Sequence, residues 1–170
     1  MIWTSIDTRN AVISSLLPGA VAAIGFTQVD QADTIWYNAL RKPNYAVKDM
    51  SCCAVGDVLA LSPLGYASYL VYKQAGGLDT TDAKIGLGLY AASLLLALSK
   101  IPAIKSRDLS SLWKNTTLVH LTGAGAAYYF YKIHNNAGLL LLPYVLWSGY
   151  HALAFFAMSP DSETHPKKAF

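Results

Sequence analysis

The sequence predicts an all-α protein, an integral membrane bundle of five transmembrane helices that forms one domain over residues 1–170. Composition and the distribution of charge lead to this prediction. Of the 170 residues, 54% are hydrophobic and only 14% are charged, whereas a soluble domain carries roughly 25% charged residues. So few charges could not cover a water-facing surface, and the high apolar content excludes an intrinsically disordered chain.

Long stretches without Asp, Glu, Lys or Arg divide the chain. They cover residues 10–29, 58–72, 85–99, 115–131 and 133–160. Because a helix rises about 1.5 Å per residue, roughly 20 apolar residues cross the hydrocarbon core of a bilayer. The first and last stretches are long enough alone, and lysines with long stems flank the three middle ones. The predicted helices are about 10–29, 50–73, 85–104, 109–132 and 137–158.

These segments have the character of helices rather than strands. They show no alternation of apolar and polar residues, and runs such as residues 94–96, three leucines, lack the β-branched side chains of buried strands. Aromatic residues fall near the predicted ends, among them Trp36, Tyr72 and Trp113. Such belts of aromatic residues are typical of membrane interfaces.

The basic residues predict which ends of the helices share one side of the membrane. The N-terminus and two loops carry Arg9, Lys73, Lys84 and Lys132, and the opposite side carries Arg41, Lys42, Lys48, Lys100, Lys105, Arg107, Lys167 and Lys168. The C-terminus is therefore expected on the more positively charged side. The first ten residues hold Asp7 and a single basic residue, so we expect no cleavable signal.

Three charged side chains fall inside predicted helices but close to their ends. Asp57, Lys100 and Lys114 each lie about one to two turns from a helix end. Long or end-placed charged side chains usually extend towards the membrane interface. The sequence therefore predicts interfacial positions for these three residues.

Two histidines fall near the middle of neighbouring antiparallel helices, at similar depth. His120 and His151 could form a bis-histidine haem or metal site. Alternatively, they are neutral and hydrogen-bonded to Thr117, Ser148 or a tyrosine hydroxyl. Since no third ligand or supporting carboxylate lies nearby in the sequence, we expect no bound metal.

Motifs of enzymatic chemistry are missing from the sequence. It contains no nucleophile elbow, phosphate loop, metalloprotease helix or paired carboxylates, so we expect a protein that is not an enzyme. The net charge of +3 is mild and the basic residues are not interleaved with aromatics, which argues against nucleic-acid binding. A weak sterol-contact pattern runs through Leu64, Tyr69 and Lys73.

Several segments carry a family resemblance. Residues 36–43, Trp-Tyr-Asn-Ala-Leu-Arg-Lys-Pro, resemble the W-Y-x-x-L-x-K-P run in the first loop of the translocator protein family, also called tryptophan-rich sensory proteins. Residues 64–73, 88–90 and 143–147 continue the resemblance, with order and spacing kept over about residues 15–158. It implies a five-helix bundle, in the outer mitochondrial membrane or a bacterial membrane, that binds porphyrins, sterols and synthetic ligands.

The sequence departs from the family pattern where the family binds ligands. In and after the first loop, Tyr45 stands where the family has a tryptophan, and Val47-Lys48 where it has a Pro-Pro step. In the third predicted helix, Ala97-Leu98 stands in place of an Asn-Trp pair and Lys100-Ile101-Pro102 in place of a Trp-Pro-Pro run. In the last two predicted helices, Asn115 stands in place of an aspartate, His151 in place of a small residue and Phe155 in place of an asparagine. Polar groups that orient a ligand are lost and a bulky imidazole is gained. We therefore expect His151 to occlude the pocket and to bind Asn115, His120, Thr117 or Tyr66.

The sequence thus predicts a non-enzymatic protein with a degraded ligand pocket, an accessory subunit of a mitochondrial membrane assembly. Its partners would be membrane lipids and other membrane protein subunits. The alternative is a binder or transporter of a tetrapyrrole or a sterol, with no other cofactor. The candidate ligand-binding residues are then Trp36, Tyr37, Tyr45, Tyr66, Ala97, Asn115, His120, Trp147 and His151.

Overall fold

The computed structural model describes residues 3–159, and within this range the chain is helical and contains no strand. The helices are α1 Ser5–Phe26, α2 Gln31–Ala39, α3 Met50–Gln74, α4 Thr81–Leu98, α5 Lys100–Lys105, α6 Leu109–Ile133, α7 Asn135–Leu140 and α8 Leu142–Met158. The prediction of an all-α bundle is confirmed. Lys167 and Lys168, which entered the prediction of membrane orientation, lie outside the described residues.

Four stretches among the described residues are long and apolar enough to cross a membrane, where five were predicted. They are Ser5–Phe26, Met50–Gln74, Thr81–Lys105, which joins α4 to α5, and Asn135–Met158, which joins α7 to α8. The remaining long helix, α6, has 25 residues. Polar and charged residues in its first half, such as Lys114 and Asn115, make it less apolar than the other four.

The first helix begins and ends earlier than residues 10–29, the predicted range. Its start is fixed by a capping box: the Thr4 hydroxyl accepts from the Asp7 amide at 3.2 Å, and the Asp7 carboxylate accepts from the Thr4 amide at 2.7 Å. These bonds satisfy amides that the first turn leaves without partners inside the helix. Absence of charge marks the apolar part of a helix, and the capped polar turn extends beyond it.

The first loop contains a short helix that the sequence analysis did not predict. In α2, the Asp33 amide donates to the Asp30 carboxylate at 2.9 Å, and the Asp30 amide donates to Asp33 at 3.4 Å. Tyr37 on this helix is buried against α3 and α8. The Asp-x-x-Asp spacing was a signal for this helix start.

The α1 and α3 helices pack closely along their length. A Cβ atom placed on Gly65 of α3 would lie 1.6 Å from the Ser14 carbonyl oxygen of α1, so only glycine permits this approach. Small residues commonly allow such contacts between membrane helices. Near the start of α1, Asp7 pairs with Lys73 at 2.5 Å and accepts from the Tyr69 hydroxyl at 2.5 Å.

The other helices form a second packed group around α6, which lies between α4 and α8. Phe130 is fully buried there, and the Ser93 and Tyr144 hydroxyls share a hydrogen bond of 2.7 Å. In contrast, α1 contacts α4 at only a few residues. The close contacts are therefore those of α1 with α3 and of α6 with α4 and α8, and the contact between α1 and α4 is slight.

Candidate ligand-binding cavity

A cavity of about 380 Å³ lies inside the bundle. Its walls come from α1, α3, α4, α5, α6 and α8, and one side chain, Tyr37, comes from α2. Most of the lining is apolar and includes Leu17, Val21, Leu61, Leu94, Leu98, Ile104, Leu112, Val119 and Phe155. The volume falls in the range of about 300–1,000 Å³ that is typical of small-molecule sites.

A cluster of polar side chains interrupts this apolar wall at Asp57. One carboxylate oxygen accepts from Lys100 Nζ at 2.9 Å, and the other accepts from the Trp147 indole N–H at 2.6 Å. His151 Nδ1 lies 3.8 Å from that second oxygen. All four residues line the cavity, so its apolar interior has a single strongly polar side.

A glycine on α3 makes room for the tryptophan in this cluster. A Cβ atom on Gly56 would lie 2.2 Å from the Trp147 ring, which therefore packs directly on the α3 backbone. On α8, the Trp147 ring contacts Tyr150 with centroids 5.4 Å apart and His151 with centroids 4.6 Å apart. The aromatic stack and Gly56 together hold the indole N–H against Asp57.

The predicted interfacial positions of Asp57 and Lys100 are wrong. Asp57 is only 8% exposed, and the two side chains pair inside the bundle, each being the counterion of the other. Burial of a charge is costly unless it is paired, and a partner on a distant helix cannot be read from local sequence. Lys114, in contrast, is exposed, as predicted for an interfacial lysine.

His151 is buried, but it does not occlude the cavity as predicted; its ring forms part of the wall. Within residues 3–159, its Nε2 atom has no hydrogen-bond partner. A buried polar atom left unpaired costs about 1–3 kcal/mol. The ring is therefore a wall element with one unsatisfied nitrogen.

The expected partners of His151 bind elsewhere. The Asn115 amide donates to the Ser99 hydroxyl at 2.5 Å, and the Thr117 hydroxyl donates to the Trp113 carbonyl at 2.8 Å. Tyr66 is 36% exposed and lies outside the cavity lining. The fourth candidate, His120, is held by α8. The prediction failed because it did not foresee that Asp57 faces α8.

His120 makes contacts of the kind that the hydrogen-bonded alternative predicts. Its Nδ1 lies 3.1 Å from the Val145 carbonyl oxygen and 3.4 Å from the Ser148 hydroxyl, one of the predicted partners. Over the described part of the chain, no three His, Cys, Asp or Glu side chains group as potential metal ligands.

The structure brings together four of the nine candidate ligand-binding residues: Tyr37, Ala97, Trp147 and His151 line the cavity. The other five, Trp36, Tyr45, Tyr66, Asn115 and His120, lie outside the lining. The Tyr37 hydroxyl donates to the Val47 carbonyl at 3.2 Å and lies 3.4 Å from Cys53 Sγ. Burial raises the pKa of Tyr37 far above its usual value, so this phenol stays neutral.

The weak sterol-contact pattern is spread over two environments. Leu64 is fully buried in the core, whereas Tyr69 and Lys73 bind Asp7 on α1. The three side chains therefore do not form one exposed surface. Sterol contact through this pattern stays a prediction.

Several residues that line the cavity also differ from the family pattern. Six of its lining residues stand where the chain departs from the family pattern: Ala97, Leu98, Lys100, Ile101, His151 and Phe155. The family resemblance implies that these departures lie at a ligand pocket. The contribution of Asp57 and Gly56 to its polar side was not predicted from the sequence.

Comparison with known proteins agrees with the fold. The model of the TspO/MBR family matches residues 12–159. Translocator protein of Ovis aries is 27% identical over 154 residues, which are 90% of this chain and 90% of the sheep protein. Translocator protein of Homo sapiens is 32% identical over 136 residues, 78% of each chain. Translocator protein 2 of Mus musculus is 34% identical over 91 residues, 53% of this chain and 56% of the mouse protein.

Proposed function

The chain belongs to the TspO/MBR family, and from this premise we propose that it is a non-enzymatic membrane protein that binds a hydrophobic ligand inside its helical bundle. The observation that carries this proposal is the apolar cavity of about 380 Å³ with its single polar side. Apolar walls with a few convergent polar groups are typical of sites that bind and orient a small molecule.

The proposed membrane topology has five spans, with α6 as the fourth. At 25 residues this helix is about 37 Å long, enough to cross the hydrocarbon core. It packs between α4 and α8, and its Thr116 is buried, whereas Lys114 near its start is exposed. We propose that the C-terminus lies on the more positively charged side and that the membrane is mitochondrial, one of the two kinds of membrane that the family resemblance implies.

Protease protection of tagged protein tests this topology. With five spans, tags at the two termini face opposite sides of the membrane, so protease added to intact mitochondria removes only one of them. Removal of both tags before the membrane is opened would support four spans instead. Fractionation of the same cells checks the mitochondrial location.

The ligand would enter from the lipid through the loose contact between α1 and α4. Both helices contribute to the cavity wall, through Leu17 and Val21 of α1 and Leu94 and Leu98 of α4. A hydrophobic ligand already dissolved in the bilayer needs no aqueous route. A tetrapyrrole and a sterol, the two classes implied by the resemblance, both partition into lipid.

Fluorescence titration of purified protein tests the proposal. Trp147 lines the cavity, so protoporphyrin IX should quench its emission, and dehydroergosterol, a fluorescent sterol, should accept its excitation energy. The proposal predicts a saturable signal with at least one of these two ligands. The Trp147→Phe variant keeps the other three tryptophans and should lose most of the signal. Absence of saturable binding for both ligands would contradict the proposal.

The role of an accessory subunit has weaker support than ligand binding. It was predicted because the pocket was expected to be closed, whereas the described residues form a cavity that His151 lines. Contacts with other membrane subunits stay a prediction. Co-migration with a larger complex on native gels of solubilised membranes is the measurement that checks it.

A further inference from the structure

We propose that the cavity takes one acyl chain of a bilayer phospholipid, which enters between α1 and α4 and keeps its phosphate outside, against Lys105 and Arg107. This assignment rests on the proposed function and names a ligand class for the same cavity. It depends on where the cavity opens, how long it is and which of its polar groups are already bonded.

The cavity reaches the lipid-facing surface between α1 and α4. Leu17 and Val21 of α1 line it and are still 56% and 36% exposed, and the two helices meet at only a few residues. Near the end of α1, a Cβ atom on Gly25 would lie 3.0 Å from Ile101 Cδ1, the far end of a flexible side chain. A lipid chain can therefore move in sideways once that side chain turns.

The cavity is elongated along the helices and has the depth of one leaflet. Its lining runs from Ser14 to Phe26 on α1 and from Tyr144 to Phe155 on α8. At about 1.5 Å per residue these stretches are about 18 Å and about 17 Å long. Half of a hydrocarbon core of about 30 Å is similar in depth. An extended acyl chain that lies parallel to its neighbours in the bilayer matches such a space.

The cavity lies in the half of the bundle next to α2. One buried cluster joins α2 to the starts of α3 and α6 and to the end of α8, and all its members line the cavity: Tyr37, Met50, Cys53, Leu112 and Phe155. The chain would therefore come from the leaflet at the α2 end.

The main polar groups of the lining are already bonded within the protein. Asp57 accepts from Lys100 and from the Trp147 indole, and the Tyr144 hydroxyl shares a hydrogen bond of 2.7 Å with α4. His151 Nε2 has no partner among the described residues, but its accessible surface is below 1 Å², so a ligand does not reach it. A polar ligand group buried here would lack partners, which is costly. A hydrocarbon chain needs none.

Basic side chains at the same end complement a lipid phosphate. Ile104 lines the cavity, and Lys105 and Arg107, which follow it, are both exposed. The one carboxylate of this turn, Asp108, caps α6 by accepting from the Ser111 amide at 3.1 Å. The turn therefore keeps a positive charge that favours a lipid phosphate. Since phospholipid is the main component of a bilayer, mass action also favours it over a minor lipid.

Quenching by bromine tests the proposal with the full chain in lipid nanodiscs. Replacement of Trp3, Trp36 and Trp113 by phenylalanine leaves Trp147 as the only tryptophan. Phosphatidylcholine with bromine on an acyl chain should quench its emission, because bromine quenches at contact and Trp147 lines the cavity. A brominated fatty acid, at the same mole fraction in an unlabelled bilayer, should quench less.

Two variants of α1 separate the cavity from lipid around the bundle. Val21→Phe adds bulk to the lining and should weaken binding of the chain about tenfold. Ile24→Phe is the matched control, since Ile24 is 64% exposed and lies outside the lining, and its quenching should equal that of the parent. Lys105→Gln combined with Arg107→Gln should reduce quenching by the phospholipid. Native mass spectrometry of the wild type released from nanodiscs should show one retained phospholipid per chain.

The outcomes separate this proposal from the proposed function. Equal quenching in the parent and in Val21→Phe would place the bromine in lipid outside the bundle and overturn the proposal. Stronger quenching by the fatty acid would overturn the choice of a phospholipid. If dehydroergosterol or protoporphyrin IX binds but the brominated lipids do not quench, the acyl-chain proposal is wrong and the proposed function stands. If none of these probes reaches Trp147, both are wrong.

Discussion

Lys100 Nζ and Asp57 Oδ2 lie 2.9 Å apart inside the bundle, although the two residues are 43 positions apart in the sequence. Both side chains are largely shielded, at 16% and 11% exposure. Their pairing joins the junction of α4 and α5 to the first third of α3. The pair forms part of the polar side of the cavity, and its burial affects the stability of the protein.

Removal of one member of this pair should destabilise the protein strongly. Lys100→Met leaves the Asp57 charge buried without a counterion, which costs about 3–5 kcal/mol. The double variant Asp57→Asn with Lys100→Met removes both charges and should recover most of the loss. Thermal unfolding in detergent, followed by circular dichroism, measures both effects.

An exposed ion pair provides the control. Lys132 and Asp82 are also 2.9 Å apart, but their side chains are 42% and 40% exposed. Lys132→Met should change stability by about 1 kcal/mol or less. Equal losses of stability in Lys100→Met and Lys132→Met would show that the Asp57–Lys100 pair is not buried.

A methyl group on Gly65 should disrupt the contact between α1 and α3. The added carbon would overlap the Ser14 backbone, so α1 must move away, at a cost of about 1–3 kcal/mol. The matched control is Gly88→Ala, where a Cβ atom meets nothing within 4 Å. A lower melting temperature is expected for Gly65→Ala alone, and a wild-type value for it would contradict the packing described.

Gly56→Ala should act on the cavity through the tryptophan. The new methyl group would overlap the Trp147 ring and push the indole N–H away from Asp57. The emission spectrum of Trp147 should shift and dehydroergosterol binding should weaken by about tenfold or more, since the wall is displaced. Gly88→Ala serves again as the control. Unchanged emission and binding in Gly56→Ala would argue against this arrangement.

The adjacent cysteines should differ in reactivity. Cys52 is exposed, whereas Cys53 is buried, lines the cavity and lies 3.4 Å from the Tyr37 hydroxyl. In the single-cysteine variants, methyl methanethiosulfonate should modify Cys53 more slowly than Cys52, because a buried thiol is shielded from the reagent.

Occupancy of the cavity should change only one of these two rates. Saturating dehydroergosterol should slow the modification of Cys53 further and leave that of Cys52 unchanged. Mass spectrometry of the quenched reaction follows both rates. Protection of Cys52 together with Cys53 would point to a ligand bound on the outer surface of α3.

Charge distribution predicted the five long helical stretches because lipid excludes charge along the whole length of a span. The same argument failed for α2, which lies in a loop and owes its start to the capping box of Asp30 and Asp33. It also missed the capped first turn of α1. Local hydrogen bonds, rather than hydropathy, decide where these helices begin.

The candidate site was only partly predictable. Alignment with the family pattern predicted that His151 and Ala97 line a cavity, and both do. Aligned positions in a shared fold lie on the same face of a helix, so this kind of prediction does not depend on the residue type. The sequence analysis assigned the wrong partners to His151, since Asp57 lies on α3 and approaches α8 only in the folded bundle. Contacts between distant helices depend on packing that one sequence does not reveal.

The slight contact between α1 and α4 also determines how the concentration of a ligand should be expressed. Because α1 is fixed to α3 and meets α4 at only a few residues, the proposed exchange takes place with the bilayer and not with water. Occupancy should then follow the mole fraction of ligand in the lipid. Doubling the lipid at constant total ligand should halve the bound fraction at low saturation, whatever the aqueous volume.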